Sequence, residues 1–573
     1  MLEEVRETAR RKAQAARLAR GALGSVARFM REEVRRGTLV DNLKALPRGG
    51  MAHDMSWAEL LEEQAAKQRE KPMLLFKDEV HSYRSMDQHA NQVAHFLLAN
   101  GGGKGKGVAI FMRNSPRFLD VFFAAQKIGM YVVPVNSELR GDGLAYVLNH
   151  SDVSMLAVDA ELLEYYLTVE KDVENVRSVV VDDVEEEARG HAIPEGMLRL
   201  GEAYDPANPT TNPGVGYDRD AKCLILYTSG TTGPPKGVVY TYDSTKVKLL
   251  SIVAGITLYP DDVYYTALAL CHGNALFLTT TLSMAVGATV ALSRRFSASR
   301  FWDDIRRYDV TVFNTIGSII PILMKQPERP DDRDNKVRYV LSAACPADMW
   351  AAFEKRFGVR IYEGYGAVDS AGKGILNLGT GPVGSIGKPS AMGKAKVVDE
   401  NGNECPAEVP GELIFYVGDK AGGVAYYKNE EASRKKNRDG WMYTGDIVRK
   451  DEKGYLYFVG RNTESMRRGG ENVSAYEVEH VIMKHPGVED VAVYAVPSEL
   501  AEDEIMASVK LVDGAKLTEK DLWLFLGDKL AKFAVPRYIR FVESFPMTQT
   551  HRIIKGELEK LGITDDTFDA KKA

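Results

Sequence analysis

"GVAIFMRNSPRFLDVFFAAQKIGMYVVPVN", residues 107–136, decides the fold. Its two ends, 107–112 and 131–136, are short apolar runs that read as strands, and 115–130 between them reads as a helix. Outward from there the pattern repeats, with a helix over "LRGDGLAYVLNHS" (139–151) and a strand at "MLAVDA" (155–160). Strands alternating with helices imply crossover units and a parallel sheet, so the large part of the chain is α/β. "NGGGKGKG" (100–107) stands before the first strand, whereas a phosphate loop follows a strand and opens a helix; it reads as a turn.

A different stretch carries chemistry. "AKCLILY" (221–227) reads as a strand and runs directly into "TSGTTGPPKG" (228–237). That stretch is too polar for a core element and too rich in turn formers to continue as helix or strand. Backbone N–H groups and the hydroxyls of Thr228, Ser229, Thr231 and Thr232 can converge on an anion, with Gly230 and Gly233 allowing close approach and Lys236 supplying charge. The order of Gly230 and Lys236 is not that of a Walker A loop.

Composition bounds the rest. A chain of 573 residues is too long for one core, and 45% apolar residues suffice to build two or more. With 74 Lys+Arg against 80 Asp+Glu the net charge is −6, which gives no general pull toward nucleic acid. The four cysteines, at 223, 271, 345 and 405, match no short ligand spacing, so neither a structural zinc nor a disulfide framework is expected, and a cytoplasmic setting fits. Residues 1–36 hold ten Lys/Arg and five Glu, a local charge of +5. Leu18, Leu23, Val26, Phe29, Met30 and Val34 can share one face there, so the segment reads either as a basic amphipathic helix on the inner membrane face or as a helix docked on its own protein. It lacks the roughly 18 apolar residues of a bilayer span.

Three further stretches follow in order: "YEGYGAVDS" (362–370), "WMYTGDIVRKDEKGYLYFVGR" (441–461) and "RRGGENVSAYEVE" (467–479). Together with "YTSGTTGPPKG" (227–237) they resemble the adenylate-forming superfamily of acyl-CoA synthetases, over roughly residues 55–560. Residues 300–327 and 353–367 look like the fatty acid transport protein or very-long-chain acyl-CoA synthetase branch, and 467–497 is similar to crotonobetaine/carnitine-CoA ligases.

The resemblance implies an AMP-forming acyl-CoA ligase. A carboxylate attacks the α-phosphate of ATP to give acyl-AMP and pyrophosphate, and the coenzyme A thiol then displaces AMP. It also implies a large adenylation domain (51–461) with parallel sheets behind an N-terminal extension (1–50), and a smaller mobile α+β domain (462–573). By motif position, Thr228 to Gly233 with Lys236 hold the β- and γ-phosphates, and Tyr365 with Gly366 meets adenine. Asp446 accepts from the ribose hydroxyls and Arg461 adds a second ribose contact. Asp369 takes the position of the magnesium ligand, His272 reads either as positioning the carboxylate or as a satisfied core histidine, and Gly469 and Gly470 line the pantetheine tunnel. Arg552 stands where the family's lysine orients the attacking acid, with Lys555 just beyond.

Three positions depart from the family pattern: Val368 replaces a threonine, Thr463 stands at the hinge, and Arg552 replaces the lysine. The missing threonine contact is worth roughly 1 kcal/mol if neutral and two to three if charge-assisted. Arginine keeps the charge but is bulkier and planar. These departures motivate an alternative reading, a lipid-binding or transport-associated protein with weak or no adenylation. A peptide-synthetase adenylation module is the least supported, since the chain has no room for a carrier domain in cis. Segments 270–277 and 313–320 are mostly apolar, which favours a fatty or other hydrophobic acid. An oligomer is compatible with the sequence.

Overall fold

The computed structural model describes residues 55–573 except 186–189, 229–234, 244, 318, 390–393, 419–422, 462–464, 469–470, 498–502, 528, 531–533, 548–552 and 573. The basic segment 1–36 lies outside the described residues. The chain divides into two compact units. The larger holds residues up to Thr228, Lys236–Lys394 and Val417–Asn437; the smaller holds Ser229–Pro235, Ala395–Tyr416 and Arg438–Ala573.

The larger unit begins with strands β1 (Pro72–Phe76) and β2 (Glu79–Ser82), and then the expected alternation appears. Strand β3 (Gly107–Phe111) is buried along its whole length, as a strand covered on both faces must be. Helix α1 (Pro116–Lys127) starts where Ser115 Oγ accepts the N–H of Phe118 at 3.1 Å, with Pro116 in the first turn, where its missing N–H costs nothing. It ends before Gly129, whose φ of +70° suits a residue without Cβ. Every residue of α1 is buried, including Lys127, which pairs with Glu62 and, at 2.8 Å, with Asp87. Strand β4 (Tyr131–Pro134), helix α2 (Gly141–His150) and strands β5 (Met155–Asp159), β6 (Ser178–Asp182), β7 (Leu198–Arg199), β8 (Lys222–Thr228) and β9 (Lys236–Thr241) complete a seven-stranded sheet of order β7-β6-β5-β3-β4-β8-β9. It is parallel except for the β8–β9 hairpin.

A second sheet uses β10 (Val263–Thr266), β11 (Thr289–Leu292), β12 (Val312–Ile316), β13 (Tyr339–Ala343), β14 (Ile361–Gly366) and β15 (Gly374–Asn377). Its order is β15-β14-β13-β12-β10-β11-β1-β2, parallel from β1 to β14 and closed by an antiparallel strand at each edge. Asn114, 3% exposed in the turn after β3, ties the two sheets together. Its Nδ2 donates to the carbonyls of Leu268 and Ser293, both at 2.9 Å, and its Oδ1 accepts the N–H of Leu270 at 2.8 Å.

The smaller unit carries an antiparallel sheet of Ala395–Val398, Gly411–Tyr416, Trp441–Lys450 and Leu456–Arg461. Beyond it come a hairpin of Ser465–Arg468 with Glu471–Ser474 and a four-stranded sheet of Val488–Pro497, Asp503–Leu511, Tyr538–Phe541 and Phe568–Asp569. Helices Ala475–Ile482 and Glu519–Gly527 cover the last sheet through Val478, Ile482, Leu522 and Leu526. The architecture is thus α/β, with a large parallel-sheet part, as the strand–helix alternation implies, and a smaller part, as the family resemblance implies.

Candidate functional site

In the larger unit Thr228 ends β8, His272 follows β10, and Tyr365, Gly366 and Asp369 end or follow β14, all at the carboxyl ends of strands, where open α/β sheets bind ligands. The β8–β9 hairpin fixes the two ends of the Ser/Thr/Gly loop: Thr228 pairs with Lys236, Tyr227 with Gly237, and Thr228 Oγ1 donates to the Lys236 carbonyl at 3.3 Å. Ser229, Gly230, Thr231, Thr232 and Gly233 lie outside the described residues.

His272 sits in the turn after β10, half-buried, and the chain there enters a wide helical segment, Asn274–Thr281. Such π-type turns are rare and cluster at functional sites. Here Thr280 and Thr281 donate their hydroxyls to the carbonyls of Ala275 and Leu276, five residues back, which satisfies oxygens the wider turn loosens.

Strand β14 delivers the "YGAVD" residues. Tyr365 and Gly366 end the strand opposite Ile375 and Gly374. Val368 points its Cγ2 toward Gly273, close enough that a Cβ added to that glycine would meet it at 3.1 Å, and its carbonyl accepts from Tyr240 Oη at 2.8 Å. Val368 and Phe277 thus both close on Gly273, the residue after His272, as an apolar wall.

Asp369 has partners that no motif foretold. Residues 424–427 run beside β9, through Val239 N–H to the Ala425 carbonyl and Tyr427 N–H to the Gly237 carbonyl. This places Tyr426 over the site, and its Oη donates to Asp369 Oδ2 at 2.6 Å. Helix α3 (Glu430–Lys436) follows, capped by Asn429, and its last residue, Lys436, places Nζ 2.8 Å from the same Oδ2. Asn437 clips the segment shut by accepting from Val424 N–H and donating to the Val424 and Ser433 carbonyls, and Gly423 must be glycine, since a Cβ there would lie 2.0 Å from Asn437 Oδ1. Burial works against the charge on Asp369, but the Lys436 ammonium and the Tyr426 hydroxyl outweigh it and hold the carboxyl below the usual range. Burial and the adjacent Asp369 push the Tyr426 phenol up. Lys236 Nζ lies 5.5 Å from the Tyr426 ring centroid, a cation–π distance.

The same strand holds a second carboxyl, that of Glu363, 2% exposed. It accepts the N–H of Ala344 at 2.5 Å and of Cys345 at 3.3 Å, which fastens the turn after β13, where Ala344 has a φ of +68°. Burial pushes this carboxyl up to about 7, with the two backbone donors opposing. Neither Glu363 nor Lys436 stood out in the sequence. The signal for Lys436 was its spacing: Arg434 and Lys435 each pair with the glutamate four residues earlier, whereas four residues before Lys436 stands Ala432.

In the smaller unit, Asp446 is 6% exposed and faces Arg461 across an antiparallel pair. Its turn is fixed by Thr444 Oγ1, which donates to the Leu413 carbonyl at 2.6 Å and accepts from Asp446 N–H at 3.0 Å. Lys555 pairs with Glu479 at 2.8 Å. Thr463, Gly469, Gly470 and Arg552 lie outside the described residues.

Among the described residues no group of three or more His, Cys, Asp or Glu is placed to hold a metal ion. A single carboxylate such as Asp369 still fits magnesium, which keeps most of its waters and takes its other ligands from substrate phosphates.

Comparison with known proteins fixes the family. The model of the AMP-binding enzyme family matches residues 61–418, and that of the AMP-binding enzyme C-terminal domain matches 477–552. The chain belongs to the AMP-binding enzymes. This AMP-binding enzyme is 32% identical to a crotonobetaine/carnitine–CoA ligase of Salmonella paratyphi B over 83% of the chain and 93% of the relative. It is 34% identical to a steroid-22-oyl-CoA synthetase of Rhodococcus jostii, over 79% and 82%. Among solved structures it is similar to an anthranilate CoA ligase in complex with anthranoyl-AMP, with a TM-score of 0.77, 25% identity and coverage of 89% and 97%. It also matches a Mycobacterium tuberculosis fatty acyl CoA synthetase, with a TM-score of 0.65, 25% identity and coverage of 88% and 98%. The expectation of an AMP-forming acyl-CoA ligase, working on an acid with ATP and coenzyme A, is met by these matches. Among the described residues no helix is long and apolar enough to cross a membrane.

Proposed function

We propose that this AMP-binding enzyme activates a hydrophobic carboxylic acid, of the fatty or steroid side-chain kind. The observation that carries this reading is the apolar wall beside His272, where Val368 Cγ2 and Phe277 close on Gly273. The similarity to a steroid-22-oyl-CoA synthetase and to a fatty acyl CoA synthetase supports it.

The residues take these parts. The Thr228–Gly233 loop with Lys236 holds the β- and γ-phosphates, and Tyr365 and Gly366 hold adenine. Asp446 and Arg461 hold ribose. His272 and Arg552 orient the acid so that one carboxylate oxygen attacks the α-phosphorus while pyrophosphate departs. Donors and cations aimed at the charge that builds on the phosphates lower the barrier. Asp369 would hold magnesium, which when bound would supply charge neutralisation to the triphosphate. Gly469 and Gly470 line the path of the coenzyme A arm for the second step, after rotation of residues 462–573 about Thr463. A cytoplasmic site of action, with 1–36 as a peripheral membrane contact, completes the reading and is checked by flotation with anionic vesicles.

Incubation with ATP, magnesium, coenzyme A and acids from acetate to long-chain and steroid carboxylates, followed by mass spectrometry, tests the reading. Thioester and AMP with the hydrophobic acids are expected. Turnover confined to short polar acids would overturn the substrate class, and acyl binding without any thioester would move the protein to the lipid-binding alternative.

A further inference from the structure

The contact between Lys436 and Asp369 has no place in the roles just assigned. A carboxylate meant for a divalent cation already has one oxygen, Oδ2, engaged by an ammonium at 2.8 Å and by the Tyr426 hydroxyl at 2.6 Å. Both side chains are largely buried, Lys436 at 12% exposed and Asp369 at 19%, so the pair is not a solvent-screened surface contact. Lys236, the first residue of β9, places its Nζ 5.5 Å from the Tyr426 ring centroid. One ammonium thus binds the carboxylate and a second lies near the phenol that shares its oxygen.

We propose that Lys436 is a resident cation of the polyphosphate site, which lets the enzyme bind ATP with little help from a divalent metal and moderates the hold of Asp369 on that metal. The inference rests on the reading of this site as the ATP site. Its physical basis is that an ammonium and a hydrated magnesium ion do overlapping work at a carboxylate beside phosphates: each offsets negative charge in a site of reduced dielectric. The fold supports the role by construction. Residues 424–427 are strapped to β9, the strand that begins with Lys236, and the Asn437 clip fixes the end of α3, so Lys436 is held by backbone pairing and not by its ion pair alone.

The test is calorimetric titration of the full chain with ATP, once with chelator and once with magnesium, for the native protein, Lys436→Met and Lys436→Arg. Titration of the ATP complex with manganese, read by electron paramagnetic resonance, accompanies it. In Lys436→Met the affinity for metal-free ATP is expected to fall on the order of 30-fold while that for magnesium–ATP changes by less than about threefold, because the metal can take over the lost charge. Manganese should bind the ATP complex of this variant on the order of tenfold more tightly, since the ammonium no longer competes for Asp369 and only the neutral Tyr426 hydroxyl remains on Oδ2. Lys436→Arg, which keeps the charge, should retain metal-free binding. An equal loss in both titrations, or an arginine variant that behaves like the methionine one, would mean that Lys436 only braces the fold, and the proposal would fall with the ATP site intact. Absence of ATP binding to the native protein under both conditions would overturn the ATP-site reading together with it.

Discussion

Replacing Glu363 by Gln should abolish one component of the pH dependence of stability. Glu363 is 2% exposed, and its carboxyl is raised from 4.5 to about 7 by burial. Because the folded-state value lies above the unfolded one, the folded protein binds more protons between these two values. The group's contribution is therefore most favourable below about pH 4.5 and is lost as pH rises to about 7. At about 1.36 kcal/mol per pH unit, a window of roughly 2.5 units corresponds to about 3 kcal/mol between pH 4.5 and 8. Glutamine has the same shape, carries no charge and can still accept the N–H groups of Ala344 and Cys345. Glu363→Gln should therefore match the native protein within about 1 kcal/mol at pH 5 and exceed its stability by about 3 kcal/mol at pH 8. Reversible urea unfolding at both pH values measures the difference. The other buried carboxyls with raised values, Asp159, Asp182 and Glu185, are present in both proteins and cancel. A gap between variant and native protein that is the same at pH 5 and pH 8 would refute the reasoning, because only an ionising side chain makes the gap pH-dependent.

Other outcomes follow from the same geometry. Val368→Thr should restore a hydroxyl beside the nucleotide and raise ATP–pyrophosphate exchange about fivefold, the rate equivalent of roughly 1 kcal/mol; unchanged exchange would show that the valine serves packing alone. Asp369→Ala should lower kcat by at least tenfold and also weaken thermal stability, since it leaves the Lys436 ammonium buried beside a void; activity within twofold of native would remove Asp369 from the site. Asn114→Ala removes three hydrogen bonds and should cost about 3 kcal/mol in urea unfolding while raising KM for the acid, because Asn114 holds the turn that leads to His272. A stability loss with an unchanged KM would confine Asn114 to the fold.

How much of this was legible depends on how far along the chain the cause lies. The 107–136 unit reads directly, because buried parallel strands are continuous apolar runs and Ser115–Pro116 marks the helix start locally. The "YGAVD" and "YTGD" positions read by motif order, and the structure brings His272, Tyr365, Asp369 and the hairpin holding Thr228 and Lys236 into one unit. The companions of Asp369 did not read. Tyr426 and Lys436 reach it only because residues 424–427 pair with a strand nearly two hundred residues earlier, and a run such as "EEASRKK" (430–436) has the composition of a solvated helix face. Glu363 looked like a strand residue of no note, since its role comes from the unusual backbone of Ala344, a feature of another strand's end.

The pairing of 424–427 with β9 also bears on how the chain is made. Strand β9 is the last of its sheet, and its outer N–H and C=O groups are covered only when Val424–Tyr427 arrive. About 180 residues separate the two, so at roughly 5–20 residues per second of synthesis the edge of a growing chain stays open for about ten to forty seconds. An uncovered strand edge is a template for pairing with other chains. Ribosome-bound chains halted before residue 424 should therefore be those that aggregate or recruit chaperones most strongly, and chains halted a few dozen residues after it should not.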